Sequence, residues 1–393
     1  MTKNDIKISI KKLSLVLVLS IVIGSLSALF LVSLDAVLLL KSQFPFLLYF
    51  LPLAGFFIGY MYHQFGNGFV KGNKLILQSI KNEHGESIPI LMFPFIWLST
   101  LLTHLFGGSA GREGTAVQIA GSVADQIGRL FQVNDNQRKS ILIASISAGF
   151  AAVFGTPLAG IVFSIELNGR GALRLNNLLL CTFLAFLSHF TVVAWGVSHT
   201  HYIVNQFPSI GFTTVGLVII SAIIFGFCAN FYLELATQST YLFNKFISYP
   251  PFRPLLGGIV VLLLVYFFHL EEFTGLGIST ISSSFYNQSE FTFFIIKIAL
   301  TVITLSSGFK GGEVTPLFFI GATLGSALSF FIPLPIGFMA AIGFIAVFAG
   351  ASKTPIASAI MGVELFGLQG IVFYFIATFV SYFFSGKKGI YRG

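Results

Sequence analysis

Long apolar runs recur along the chain from Leu13 to Phe384, and many approach the ~20 residues that a membrane-spanning helix needs. Hydrophobic residues make up 55% of the sequence and charged residues only 9%, whereas a soluble domain is about 25% charged. Inside lipid only helices and closed barrels satisfy their own backbone polar groups. These runs are too continuous for the alternating strands of a barrel. The sequence therefore predicts an all-α polytopic membrane protein.

The sequence contains roughly a dozen hydrophobic segments, most of them near the length that a helix needs to cross lipid. Segments 88–106, 113–131 and 313–332 are bounded by glycine or proline and are short for complete crossings. We expect some of them to be half-helices or re-entrant segments. The chain is predicted to form a single transmembrane domain over 1–393, with no cytoplasmic regulatory domain.

Basic residues flank the apolar region at both ends. They are Lys3, Lys7, Lys11 and Lys12 before the first span, and Lys387, Lys388 and Arg392 after the last. Because flanking Lys and Arg mark cytoplasmic ends, we expect both termini to be cytoplasmic in a multi-pass protein of the cell membrane. The net charge of +8 then reflects topology, and no nucleic-acid partner is predicted. Cys181 and Cys228 show no disulfide or metal spacing, so no metal or other cofactor is predicted.

The sequence also contains an internal duplication. Shifted by 200 positions, GGSAGREGTAVQ (107–118) aligns with SGFKGGEVTPLF (307–318), so that Glu113 meets Glu313 and Thr115 meets Thr315. Shifted by 198 positions, FAAVFGTPLAGIVFSIEL (150–167) aligns with FAGASKTPIASAIMGVEL (348–365). Two blocks in the same order with nearly equal offsets indicate two repeats, at about 13–200 and 211–385. Transporters with such repeats place their site where the repeats meet.

Each repeat carries one acid where glycine-rich backbone gives way to an apolar helix. Free N–H groups and the positive end of the helix dipole make such a helix start favourable for anions. Glu113 and Glu313 are therefore predicted to meet at an anion and proton pathway. The alternative is structural, with each acid capping its own helix. A carboxylate at the centre of a membrane helix costs about 2.5–3.5 kcal/mol on insertion scales, which favours a functional reason for keeping two.

GREGT (111–115) resembles the G-(K/R)-E-G-P signature of the CLC chloride channels and proton-coupled antiporters. FGTPLAGIVFSIEL (154–167) resembles that family's following helix pair, and GKKGIY (386–391) resembles the segment that delivers its central tyrosine. The resemblance extends over essentially the whole chain, from about residue 13 to 391. It implies a CLC-type fold of two inverted-topology repeats and a homodimer in which each subunit has its own pathway.

Departures from the common pattern resemble the fluoride-exporting branch of this family. Asn73, in VKGNKLI, stands at the place of the family's chloride-binding serine, although an alignment through Asn67 also exists. GEVTP (312–316) replaces the family's G-x-F-x-P, and Leu167 replaces its proton-accepting glutamate. The resemblance thus implies exchange of fluoride for protons. Its implied anion ligands are Asn73, Val314, Thr315 and Tyr391.

The expected mechanism assigns gating and proton transfer to Glu113 and the role of a second pathway carboxylate to Glu313. An ionised Glu113 would occupy the anion path, and protonation would release it. Chloride could use the same donors, so a chloride/proton antiporter and a passive chloride or fluoride channel remain alternatives. An intramembrane enzyme is not expected, since no Ser/His dyad, metal cluster or nucleophile motif lies near the repeated acids.

Overall fold

A computed structural model of the chain describes residues 3–81 and 87–391. These residues form α-helices joined by turns and short 3₁₀ segments, with no β-strand among them, which confirms the predicted all-α class. The helices are α1 Lys3–Gln43, α2 Leu51–Phe65, α3 Asn73–Lys81, α4 Met92–Leu105, α5 Glu113–Leu130, α6 Asp135–Phe154, α7 Pro157–Asn168, α8 Leu175–Ala194, α9 Phe212–Phe246, α10 Phe252–Phe268, α11 Ile278–Ser283, α12 Thr292–Ser307, α13 Val314–Leu328, α14 Ile336–Ser352, α15 Pro355–Phe366 and α16 Ile371–Phe384.

Helix lengths fall into two groups. Among the described residues, four segments are long and apolar enough to cross a membrane: Leu13–Gln43, Pro45–Phe65, Leu175–Ala194 and Phe212–Phe246. Eight further apolar helices have only 10–17 residues. The segments expected to be short correspond to α4, α5 and α13, which have 14, 18 and 15 residues.

The described residues divide into two compact units. The first comprises Met1–Ser33, Gly68–Trp97 and Thr115–Thr200. The second comprises Leu34–Asn67, Leu98–Gly114 and His201–Gly393. The units are interleaved along the sequence and do not follow the boundaries of the two predicted repeats, so the repeat boundaries stay a prediction.

In the first unit, α6 is a buried helix with well-defined ends. Asn134 and Gln137 form a reciprocal capping box at its start, which satisfies backbone donors that a helix start leaves open. The helix ends at Gly155, which has a left-handed φ of 73°. Pro157 then begins α7, where its missing N–H costs nothing.

In the second unit, α13 and α14 form a closely packed pair. Every residue of α13 is buried, and so are the α14 residues from Phe338 to Ser352. A Cβ atom on Gly321 would overlap the carbonyl group of Gly343, and one on Gly325 would overlap that of Met339. Small residues thus let the two backbones touch, as is common for helices packed in membranes. This packing fixes the start of α13, where the repeated acid Glu313 lies.

Candidate anion and proton site

Two glycine-rich loops meet in the second unit, one before α5 and one before α13. The N–H of Gly111 donates to the carbonyl of Gly312 at 2.6 Å, and the N–H of Gly312 donates to the carbonyl of Gly111 at 2.7 Å. This pair of bonds is a two-residue antiparallel bridge. It holds the start of α5 and the start of α13 in a fixed register.

Both positions of this bridge lie against the Glu113 carboxylate. A Cβ atom on Gly111 would lie 2.6 Å from Oε2 of Glu113, and one on Gly312 would lie 3.0 Å from the same oxygen. The Cβ atom on Gly312 would also lie 2.9 Å from the backbone nitrogen of Gly114, closer than real Cβ atoms come to other heavy atoms. The two glycines therefore leave the space that the Glu113 carboxylate occupies.

Glu113 is the first residue of α5, and its side chain is only 1% exposed. Its Oε2 accepts hydrogen bonds from the backbone N–H of Arg112 at 3.0 Å and of Thr315 at 3.2 Å. Its Oε1 accepts the hydroxyl of Thr315. Two of these three donors belong to the first turn of α13, whose dipole also favours a negative charge there. A carboxylate thus occupies the anion-favouring end of α13.

Glu313 is the N-cap residue of α13 and is half-buried. Its side chain makes no capping hydrogen bond, which argues against the structural alternative for this acid. Instead its Oε1 accepts the hydroxyl of Tyr232, a fully buried residue of α9, at 3.2 Å. Tyr232 lies in an apolar run with no motif around it, so nothing in the sequence could have indicated this contact.

The remaining predicted site residues of the second unit lie near these acids. Val314 begins α13 and is 1% exposed. Tyr391 follows the last helix, and the charges of both Glu313 and Glu113 act on its hydroxyl group. The structure therefore brings Glu113, Glu313, Thr315 and Tyr391 into one electrostatic environment.

Asn73 belongs to the first unit, where it is the first residue of α3. Its Oδ1 is buried and has no hydrogen-bond partner among the described residues. Its role as an anion ligand stays a prediction.

The loop before α5 is fixed from several directions within the second unit. Both ring nitrogens of the fully buried His104 lie near carbonyl oxygens, Nδ1 at 2.8 Å from Thr100 and Nε2 at 3.1 Å from Ala110. The hydroxyl groups of Ser109 and Thr301 are 2.9 Å apart. These contacts position the backbone that presents Gly111 and Glu113.

Positive charge lies close to both loops. Nε of Arg112 is buried and has no hydrogen-bond partner in the described part of the chain. Nζ of Lys310, three residues before Glu313, sits 4.2 Å from the ring centroid of Tyr62. An ammonium group at this distance is attracted to the electron-rich face of the ring. Both side chains raise the potential that attracts an anion.

The C-terminal segment that carries Tyr391 is anchored by backbone and side-chain contacts. Nζ of Lys353 donates to the carbonyl oxygens of Ser385 and Gly386 at 3.0 and 2.8 Å, and to the hydroxyl of Ser385 at 2.7 Å. The N–H of Ile390 donates to the carbonyl of Ala351 at 2.9 Å. These bonds join the end of the chain to the end of α14.

Comparison with known proteins identifies the class. The profile of the Voltage gated chloride channel family matches residues 54–386. The "Chloride/fluoride channel protein" of Pseudomonas syringae pv. tomato is 40% identical over 97% of this chain and 86% of that protein. The "H(+)/Cl(-) exchange transporter ClcA" of Vibrio cholerae serotype O1 is 30% identical over 70% of this chain and 64% of that protein. The chain belongs to the Voltage gated chloride channel family and is a multi-pass membrane protein.

Solved structures agree with this assignment. The crystal structure of a CLC-type fluoride/proton antiporter is 31% identical, covers 100% of this chain and 98% of its own, and gives a TM-score of 0.93. A slow cyanobacterial Cl⁻/H⁺ antiporter covers 97% of this chain and 96% of its own with a TM-score of 0.86, and at 19% identity that likeness concerns the fold alone. The CLC-type fold that the family resemblance implied is confirmed.

Proposed function

We propose that this chain is a secondary active transporter that exchanges fluoride for protons and thereby exports fluoride. The end-to-end likeness to a fluoride/proton antiporter supports the choice of ion. The observation that carries the proposal is the Glu113 carboxylate, which occupies donors at the start of α13 that a small anion could equally use.

Glu113 is the proposed gate. In its ionised form it accepts three hydrogen bonds at the site, and each bond to a charged group contributes about 1.5–3 kcal/mol. Protonation removes the charge and weakens those bonds, so the side chain can leave. Fluoride then takes its place at the N–H and hydroxyl groups of Thr315. Proton binding and anion binding thus alternate at one set of donors.

Fluoride is small and tightly hydrated, and a dehydrated ion needs several close donors because burying a bare charge is very costly. Thr315 supplies two donors in the structure. Val314 through its backbone N–H, and Tyr391 through its hydroxyl, are the further proposed ligands in the second unit. Asn73 remains a proposed ligand on the strength of the family resemblance.

Glu313 is the proposed second carboxylate of the pathway. Leu167 cannot carry a proton, so another acid is needed for protons to leave the gate. Glu313 is half-buried, electrostatically coupled to Tyr391 and bonded to Tyr232. These properties suit an acid that exchanges protons with Glu113 and does not merely cap α13.

We also propose a membrane location and an oligomeric state for the protein. The basic residues at both ends of the apolar region favour cytoplasmic termini in the cell membrane. The family resemblance favours a homodimer with one pathway in each subunit. We propose that the protein is a transporter and not an enzyme.

Replacing Glu113 tests the gate. Glu113→Gln keeps the shape of the side chain but removes the titratable proton, so proton-coupled fluoride flux in liposomes is expected to be abolished. Glu290→Gln, the same change at an exposed side chain, is the matched control and should transport normally. Equal elution in size-exclusion chromatography shows that both variants fold. Normal coupling in Glu113→Gln would rule out this gate.

The alternative function is a passive anion channel, which the name of the Pseudomonas syringae relative suggests. Reversal potentials measured under opposed pH and fluoride gradients separate the two. An exchanger's reversal potential moves with the pH gradient, whereas that of a channel depends on the anion gradient alone. A reversal potential unaffected by pH would favour the channel.

A further inference from the structure

A groove in the first unit is lined by none of the proposed site residues. It is formed by the beginning of α1, by the turn before α6 with the first residues of α6, and by the beginning of α8. Its volume is about 750 Å³, which falls in the range of roughly 300–1,000 Å³ typical of small-molecule sites. Many of its side chains are exposed, so the groove opens onto the surface.

The lining of this groove is amphipathic. Two basic side chains, Lys11 and Arg174, contribute to it, together with amide and hydroxyl groups, and none of its described lining residues is acidic. The rest of the lining is apolar and includes Leu15, Leu179 and Phe183. A site with this composition matches a ligand that has an anionic polar end and a long hydrocarbon end.

The two cations are available to a ligand. The side chains of Lys11 and Arg174 are exposed, and neither forms a hydrogen bond or ion pair with a described residue. By contrast, the other arginines beside α6 are already engaged, since Arg129 and Arg138 both bind the buried Asp125. Lys11 and Arg174 therefore offer charge that no protein group in the described structure neutralises.

Position along the membrane normal supports a lipid. Lys11 lies two residues before Leu13, where the first apolar run of α1 starts, and Arg174 is the N-cap residue of α8. Both cations thus stand at the border between polar sequence and an apolar helical run, which is where basic residues meet lipid headgroups. The apolar part of the groove continues along α8 through Leu179 and Phe183, which are 49% and 56% exposed. Basic pockets between helices at this depth bind anionic headgroups.

We propose that this groove is a binding site for one anionic phospholipid. The phosphodiester lies between Lys11 and Arg174, the amide groups of Asn136 and Asn176 hydrogen-bond the remaining headgroup oxygens, and an acyl chain runs along Leu179 and Phe183. The site is independent of the proposed ion pathway, and its test does not require transport.

Native mass spectrometry of delipidated protein tests the proposal. Phosphatidylglycerol and phosphatidylcholine are added back separately, and inorganic phosphate is added as a competitor. We expect one tightly bound phosphatidylglycerol, little phosphatidylcholine, and no displacement by phosphate. Removing both cations in K11Q/R174Q should weaken phosphatidylglycerol binding about thirtyfold, at the strength usual for basic groups near anionic lipid.

Two matched variants sharpen this result. K81Q/K245Q removes two exposed lysines that do not line the groove and should leave binding unchanged. Phe183→Ser should weaken phosphatidylglycerol binding while leaving both cations in place, which separates a lipid site from a site for free phosphate. Equal binding of both lipids, displacement by phosphate, or unchanged binding in K11Q/R174Q would overturn the proposal.

A second copy of the chain could also cover the groove. Asn176→Cys places a thiol on its rim, and the native Cys181 and Cys228 are both buried. Under oxidising conditions in a phosphatidylglycerol bilayer we expect this variant to remain uncrosslinked. Efficient disulfide formation between two copies at this position would show a protein interface and would overturn the lipid site.

Discussion

Tyr232 and Thr315 give the two acids of the site different surroundings. The backbone N–H and the hydroxyl of Thr315 both donate hydrogen bonds to Glu113, which is completely buried. The hydroxyl of Tyr232 donates a hydrogen bond to Glu313, which is half-buried. The two acids therefore differ at the level of single hydrogen bonds, although the sequence presents them as equivalent members of a repeat.

Removing the Tyr232 hydroxyl tests this difference. Tyr232→Phe keeps the ring but deletes the bond to Glu313, and a bond to a charged group contributes about 1.5–3 kcal/mol. We expect coupled fluoride turnover in liposomes to fall by about tenfold to hundredfold. Tyr241→Phe, on the same helix but 61% exposed, should transport at the wild-type rate. Unchanged turnover in Tyr232→Phe would mean that this contact does not serve transport.

The pairing of the two loops could be anticipated from the sequence, and their detailed contacts could not. Aligning Glu113 with Glu313 predicted that the two helix starts belong together, and the Gly111–Gly312 bridge joins them. Tyr232 and Lys353 carry no such signal, because each acts through a contact distant in sequence. These contacts become visible only when the three-dimensional structure shows which helices are neighbours.

At the scale of elements, the ends of α6 and α14 show how the two halves diverged. Gly155 and Lys353 occupy the same place in the aligned repeats, and both have a left-handed backbone, with φ of 73° and 64°. Glycine adopts this conformation freely, whereas another residue costs roughly 1–2 kcal/mol. Lys353 adopts this conformation despite that cost, and its ammonium group donates hydrogen bonds to the carbonyl oxygens of Ser385 and Gly386. We infer that the second half uses this residue to anchor the segment carrying Tyr391.

Lys353→Met should release that segment. The substitution keeps the length of the side chain and the same backbone strain, but it removes three hydrogen bonds to residues 385 and 386. We expect faster amide hydrogen exchange in residues 385–391 and lower fluoride turnover, because Tyr391 is no longer held. Lys387→Met, at an exposed neighbour in the same segment, should change neither. Protection equal to wild type would show that the backbone contact of Ile390 suffices.

At the scale of the whole molecule, the apolar surface is as informative as the core. Large hydrophobic side chains such as Phe212 and Phe246 are exposed, and extended apolar surface of this kind marks contact with lipid or with another protein. Length and hydrophobicity alone therefore predicted the fold class. The choice of fluoride over chloride could not be predicted in the same way, because selectivity is a difference between two affinities for similar donors. The choice of fluoride follows from the likeness to a fluoride/proton antiporter over the whole chain.

Proton uptake driven by a fluoride gradient is the measurement that tests this choice most directly. Liposomes containing the purified protein are loaded with fluoride, placed in fluoride-free buffer at equal pH, and held at zero membrane potential with valinomycin and symmetric potassium. Fluoride efflux should drive protons inward, so the external pH should rise. An equal chloride gradient should produce little change. Fluoride efflux without proton uptake, or equal proton uptake with chloride, would contradict fluoride/proton exchange by this protein.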